Sequence, residues 1–162
     1  MSGKRVDLEV KFFDYQFGNR NVYKQTLATF SGDLWLPQFE LSPQNVLHIL
    51  ADAIVHKDIH FDSNSDFSGR FNLRGQDEQE IRKLFSPGML AFLENFEPNS
   101  NWHLEGNGLH LIFYRLEELV NLAQFPDFVA QTTAMAQTFF SLAKKPASRT
   151  GLDSRSQLQK NP

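Results

Sequence analysis

The sequence predicts an α+β protein: an antiparallel β-sheet of about five to seven strands built from hairpins, helices packed mainly on one face, and a long C-terminal helix. Three observations predict it. Aromatic and β-branched runs come in pairs separated by turn residues. Helical periodicity falls between those pairs rather than alternating with single strands. A broad apolar stripe at helical spacing runs through residues 128–143.

Residues 7–17 and 22–30 are the first two strands, joined by Gly18-Asn19-Arg20-Asn21, a composition that favours a hairpin turn. Leu34 to Leu41 reads as a third strand, and Pro37 argues for an edge or a bend there. Ser42-Pro43 has the form of a helix start, Ser at N-cap and Pro in the first turn. Val46, Leu47, Ile49, Leu50, Ala53 and Ile54 then repeat at helical spacing. Asp58–Asp62 is a short extended piece, and Ser63-Asn64-Ser65-Asp66 a loop. Gly69–Arg74 alternates as a half-buried strand, with Phe71 and Leu73 on one side and Arg70, Asn72 and Arg74 on the other. Asp77-Glu78-Gln79-Glu80 opens a helix whose acidic start and basic end (Arg82-Lys83) both suit the helix dipole. Ser86-Pro87 starts another, which stops at Glu97-Pro98. Trp102–Glu105 and Leu109–Arg115 flank Gly106-Asn107-Gly108, the strongest hairpin signal in the chain. The last element is expected to be helical from Glu117, interrupted at Pro126, and to continue to Ala143. Its wide stripe (Phe128, Thr132, Met135, Phe139, Leu142) packs on a sheet or forms a dimer seam.

The chain is read as one α+β domain over residues 1–145 and a disordered basic tail over 146–162. Sixteen Phe among 162 residues predict a wide aromatic core. There is no Cys, which excludes disulfides and thiol chemistry. Residues 1–10 lack the apolar region of a signal peptide. The uncharged stretch Phe128–Ala143 falls short of the roughly 20 apolar residues of a membrane span. Charge is segregated: residues 1–143 sum to −7 and residues 144–162 to +4. An acidic body argues against nucleic acid as a partner, because strands are bound mainly through phosphate neutralisation.

The run His56-Lys57-Asp58-Ile59-His60-Phe61-Asp62 carries the metal candidates. If extended, it places His56, Asp58, His60 and Asp62 on one face, donors that suit Zn²⁺, Fe²⁺ or Mn²⁺. A half-buried strand gives the same alternation with a solvated outer face. Its same-face side chains point in parallel rather than converging, so no metal is assigned. Asp62–Asp66 resembles the start of a calcium loop but has Phe67 where Gly must turn and Leu73 where Glu must close. No Gly-x-Ser-x-Gly, Gly-x-Gly-x-x-Gly or P-loop is present. Glu117-Glu118 reads as helix-terminal charge, and Arg70, Arg74 and Arg115 as cross-strand ion-pair members rather than a basic spot. No catalytic residue and no cofactor are expected.

The block Phe67-Ser68-Gly69-Arg70-Phe71-Asn72-Leu73-Arg74-Gly75-Gln76-Asp77-Glu78, then Ile81-Arg82-Lys83-Leu84-Phe85, then Trp102-His103-Leu104-Glu105-Gly106, resembles a family of uncharacterised bacterial proteins. Phe13-Asp14-Tyr15 and Gln25-Thr26-Leu27 look like its opening hairpin, so the resemblance covers roughly residues 8–143. It implies no reaction and no catalytic residues. Similar proteins often place this block after membrane-spanning segments, which implies a cytoplasmic setting, tethered or peripheral to the membrane. Similar sequences look acidic at the His60 position, which weakens a shared histidine pair. The functional expectation is therefore a non-catalytic interaction or accessory domain. Its partner is another protein or a second copy through the C-terminal helix, and membrane association is possible. The alternative is a ligand-binding protein or enzyme with an apolar pocket between the sheet and that helix.

Overall fold

The computed structural model describes residues 8–44, 57–95 and 101–144. They form an α+β structure around one antiparallel sheet. β1 (Glu9–Phe17) pairs with the first part of β2 (Tyr23–Pro43), in register from Glu9↔Ser31 to Phe17↔Tyr23. β3 is the pair Lys57–Asp58, and β4 spans Phe71–Gly75. β4 joins the second part of β2, with Phe39↔Gly75 and Leu41↔Leu73, and β3 joins β4. β5 (Trp102–Arg115) pairs with β2 along nearly its whole length, with two register shifts between Ser31 and Phe39.

β5 does not run straight. Eleven residues of extended strand span roughly 36 Å. Yet the rings of His103 and Tyr114 stack with centroids 5.0 Å apart. The Arg115 guanidinium lies 4.4 Å from the Trp102 ring centroid, and Tyr114 Oη donates to Glu105 Oε1 at 2.6 Å. The strand therefore folds back on itself near Gly106-Asn107-Gly108. Gly108 has φ +61°, which residues with a Cβ rarely adopt. The expected hairpin signal thus acts as a bend, while the element stays continuous from Trp102 to Arg115. β2 follows both limbs: Leu27–Ser31 lies along His110–Tyr114, and Leu36–Leu41 along Leu104–Gly108. Residues 32–35 carry β2 around the tip.

Several expectations are corrected. The second and third expected strands are one element, because the register shifts let the ladder cross the irregularity rather than break. Ser42 and Pro43 do not start a helix: they pair with Asn72 and Phe71, and sheet pairing overrides the local capping signal. Residues 45–56, with most of the expected first helix, lie outside the described residues, as do the expected tail at 146–162 and the stop at Glu97-Pro98. In place of the second half of the expected loop at 63–66 stands α1 (Ser65–Arg70), and the expected strand Gly69–Arg74 is present but begins two residues later, as β4. α2 (Glu78–Leu84) is capped by Asp77, whose carboxylate accepts from Glu80 N–H at 3.1 Å. α3 (Pro87–Asn95) begins after Ser86 as expected. Pro126 does not interrupt a helix. It lies in the first turn of α4 (Phe125–Ala143), where its missing N–H costs nothing, and residues 116–124 are two turns joined by irregular chain.

One face of the sheet carries Phe30, Phe39, Leu41, Leu73, Leu104 and Phe113, and all four helices bury residues in that core. Phe39 meets Phe85 edge-on at 5.1 Å and stacks on Phe139 at 6.0 Å. Gly106 lets that ring close on the strand, since a Cβ there would lie 2.1 Å from Phe39. In α4 the buried side chains are Phe128, Thr132, Met135, Ala136, Phe139 and Phe140, so this part of its stripe is used inside the chain. The Phe39, Phe139 and Phe140 rings occupy space between sheet and α4 where the alternative reading places a pocket.

Candidate functional site on the outward face of the sheet

The face opposite the core is organised in cross-strand rows. Register places Asp58 beside Arg74, Arg74 beside Glu40, and Glu40 beside Glu105. Arg74 Nε donates to Asp58 Oδ1 at 2.6 Å, so the first pair is an ion pair. Glu105 ends the row by accepting from Tyr114 Oη, delivered by the folded-back limb of β5. A second set of rows runs to the edge: Tyr114 beside Leu27 beside Phe13, then Gln25 beside Tyr15, then Tyr23 beside Phe17.

The middle of this face is dry. His103 is 4% exposed and Tyr114 2%. Neither His103 ring nitrogen has a hydrogen-bond partner among the described residues. Burial holds the His103 imidazole down to about 4, so it is neutral at physiological pH. Burial also raises the Glu105 carboxyl; the Tyr114 hydroxyl opposes that shift and Glu40 adds to it. The Tyr114 hydroxyl is raised by the same burial and by the Glu105 charge. The cluster is thus a neutral imidazole stacked on a phenol whose proton is committed to a carboxylate. A general base needs an orienting partner and access to substrate; His103 has neither an observed partner nor exposure. Its chemistry is that of a packed polar inclusion.

The edge of the face is wet and aromatic. Phe13 is 45% and Tyr15 48% exposed. Tyr15 stacks on Phe17 at 5.8 Å, and Phe17 on Tyr23 at 5.2 Å. Among the described residues β1 pairs only with β2.

The sequence-predicted candidates are not gathered into a site. His56 lies outside the described residues. Asp58 is engaged by Arg74. His60 and Asp62 are exposed, whereas Ile59 and Phe61 between and beside them are buried, the alternation of a half-buried segment. No group of three or more metal-ligating side chains occurs among the described residues. The three arginines are engaged separately: Arg74 with Asp58, Arg115 with Glu118 at 2.7 Å, and Arg70 with the Glu94 carbonyl. Arg70 lines an open groove of about 500 Å³ with Ser65, Asp66, Gly69, Glu94 and Asn95, but its guanidinium is turned to that carbonyl. Glu118 belongs to a turn rather than a helix start, and its carbonyl accepts from Thr26 N–H. Sequence reasoning missed the His103–Tyr114–Glu105 cluster. Its signal was the alternation of Trp102-His103-Leu104-Glu105, which sets the face of His103 but not its burial.

No family model, no curated protein and no solved structure matches this chain. Among the described residues no helix is long and apolar enough to cross a membrane.

Proposed function

We propose that this chain is a non-catalytic interaction domain that binds a protein partner along β1, through the aromatic strip Phe13–Tyr15–Phe17–Tyr23. The observation that carries this reading is the exposure of Phe13 and Tyr15 on a strand with one ladder partner among the described residues. Contiguous exposed aromatic surface marks interaction sites, and an edge strand offers main-chain donors and acceptors to an extended segment. The burial of His103, whose ring nitrogens have no hydrogen-bond partner among the described residues, supports a binding role over a catalytic one. The bacterial origin and the cytoplasmic membrane-face setting implied by the sequence resemblance belong to the same proposal; fractionation of the source cells tests the setting.

The double variant Phe13→Ser/Tyr15→Ser tests the strip. Both side chains are substantially exposed, so each change is expected to alter stability by about 0.5 kcal/mol or less. Captured from source-cell lysate, wild type is expected to retain a partner that the folded variant loses. Recovery of the same protein by both, or of none by wild type, would sink the reading.

A further inference from the structure

β1 is an edge strand without the protections that edges usually carry. Edge strands are blunted by shortness, bulges, Pro or outward lysines, because their free main-chain groups otherwise pair with another chain. β1 runs nine residues in unbroken register with β2, without a bulge and without Pro. Its charges are engaged within the chain. Lys11 Nζ pairs with Glu9 Oε1 at 3.0 Å, and Asp14 Oδ1 accepts from Thr26 Oγ1 at 2.7 Å. Among the described residues nothing pairs with its outer edge. Apolar surface flanks that edge on both sides. Phe13 and Tyr15 are exposed on the outward face. On the core side Val10 is 41% exposed, and Phe125, which meets the Phe12 ring edge-on at 5.5 Å, is 37% exposed.

We propose that the occupant of this edge is a second copy of the chain, its β1 antiparallel to the first about a twofold axis at Phe13. The inference rests on the β1 reading above and names its partner. A twofold interface sets one strand against itself, so the strand must be self-complementary. Opposed residues of an antiparallel pair share a face of the sheet, so the axis passes through a residue rather than between two. Centred on Phe13, the pairing takes in all nine residues of β1. Phe13 of one copy then meets Phe13 of the other, Lys11 meets Tyr15, Glu9 meets Phe17 and Asp14 meets Phe12, so no like charges are opposed. An axis through Lys11 or Asp14 sets that charge against itself, which is unfavourable. An axis through Phe12 leaves two residues of the strand unpaired. The Phe13 register also places the Lys11 ammonium by the Tyr15 ring, a favourable cation–π pairing. A nine-residue strand is about 30 Å long. With apolar side chains on both faces it gives a contact of roughly 1,000 Å², the lower bound of specific interfaces, so the dimer is expected to dissociate on dilution.

The full chain, purified, tests this. Sedimentation equilibrium is expected to show a dimer that gives way to monomer as the protein is diluted. Phe13→Lys and Phe13→Glu each bring like charges together at the axis and are expected to weaken the dimer at least about tenfold. An equimolar mixture of the two variants is expected to regain it, a result that requires Phe13 to face Phe13. The chain has no Cys, so a single one reports the register without interference. Directly opposed residues on antiparallel strands have Cα atoms about 4.5–5.5 Å apart, within reach of a disulfide. Under mild oxidation Phe13→Cys is expected to cross-link into a dimer, whereas Trp35→Cys, at an exposed position outside β1, is not. Circular dichroism establishes that each variant is folded. A wild type that is monomeric at every concentration overturns the inference. So does a dimer undiminished in folded Phe13→Lys, a variant mixture that stays monomeric, or a Phe13→Cys chain that does not cross-link. The lysate capture decides the β1 reading separately. A monomer that still retains another protein through Phe13 and Tyr15 ends the second-copy inference and leaves that reading standing.

Discussion

His103 is the residue where burial and charge conflict most directly. Both its ring nitrogens lack partners among the described residues, and burial lowers it from an ordinary 6.5 to about 4. The folded protein therefore binds the imidazole proton less readily than the unfolded chain does. The stability that neutral His103 permits is fully present above 6.5 and is lost as pH falls toward 4. Full expression of this shift corresponds to at most about 3 kcal/mol. Glu105 acts in the opposite sense. Its raised carboxyl contributes stability below its ordinary 4.5, and that contribution is lost as pH rises through the folded value. The two windows overlap above 4.5, so a variant rather than pH alone separates them. His103→Phe keeps an aromatic ring against Tyr114 and removes the titration. In thermal melts at about pH 7.5 and about pH 5, the variant is expected to gain on wild type at the lower pH. A difference between the two proteins that does not change with pH would show that His103 titrates alike in folded and unfolded chains.

At the C-terminal end of β4 there is no room for a side chain. A Cβ on Gly75 would lie 2.1 Å from Ile81 Cδ1 and 2.6 Å from the Gln38 carbonyl oxygen, and the second contact is backbone. Gly75→Ala is expected to cost about 1–3 kcal/mol by overpacking, read as a lowered denaturant midpoint; an unchanged midpoint would show that β2 and α2 can move apart there. How much of each element was legible follows from what decides it. The starts of α2 and α3 are set by local chemistry, Asp77 as a cap and Pro87 in a first turn, and these were readable. Pro37 was readable as a bend, since it lies between the shifted pairs at Leu36 and Phe39. The fate of Ser42-Pro43 was not readable, because it depends on β4, thirty residues on. The candidate site was legible only in part: the faces of His103, Glu105 and Tyr114 follow from alternation, but their meeting depends on β5 folding back.

Among the described residues, aromatic rings are shared between one sheet face and the four helices. Phe139 is fully buried and touches both Phe39 and Phe140. Phe139→Ala is expected to cost about 3–5 kcal/mol, a large part of the roughly 5–15 kcal/mol that stabilises a typical domain. Urea titration followed by the fluorescence of buried Trp102 measures it, and a loss below about 1 kcal/mol would show that the core collapses to fill the space. The passage of β2 around both limbs of β5 has a consequence for how the chain reaches this state. Every β2–β5 pair joins residues more than sixty positions apart. Contacts between β5's own limbs, by contrast, are local. High contact order slows folding, because the loop must close before distant contacts reward it. The bend of β5, held by side-chain contacts between its limbs, is therefore expected to form before the long-range pairing of β2 along it, which is the slow step. Because one tip fixes the position of both limbs, β2 cannot slip on one limb without losing its place on the other.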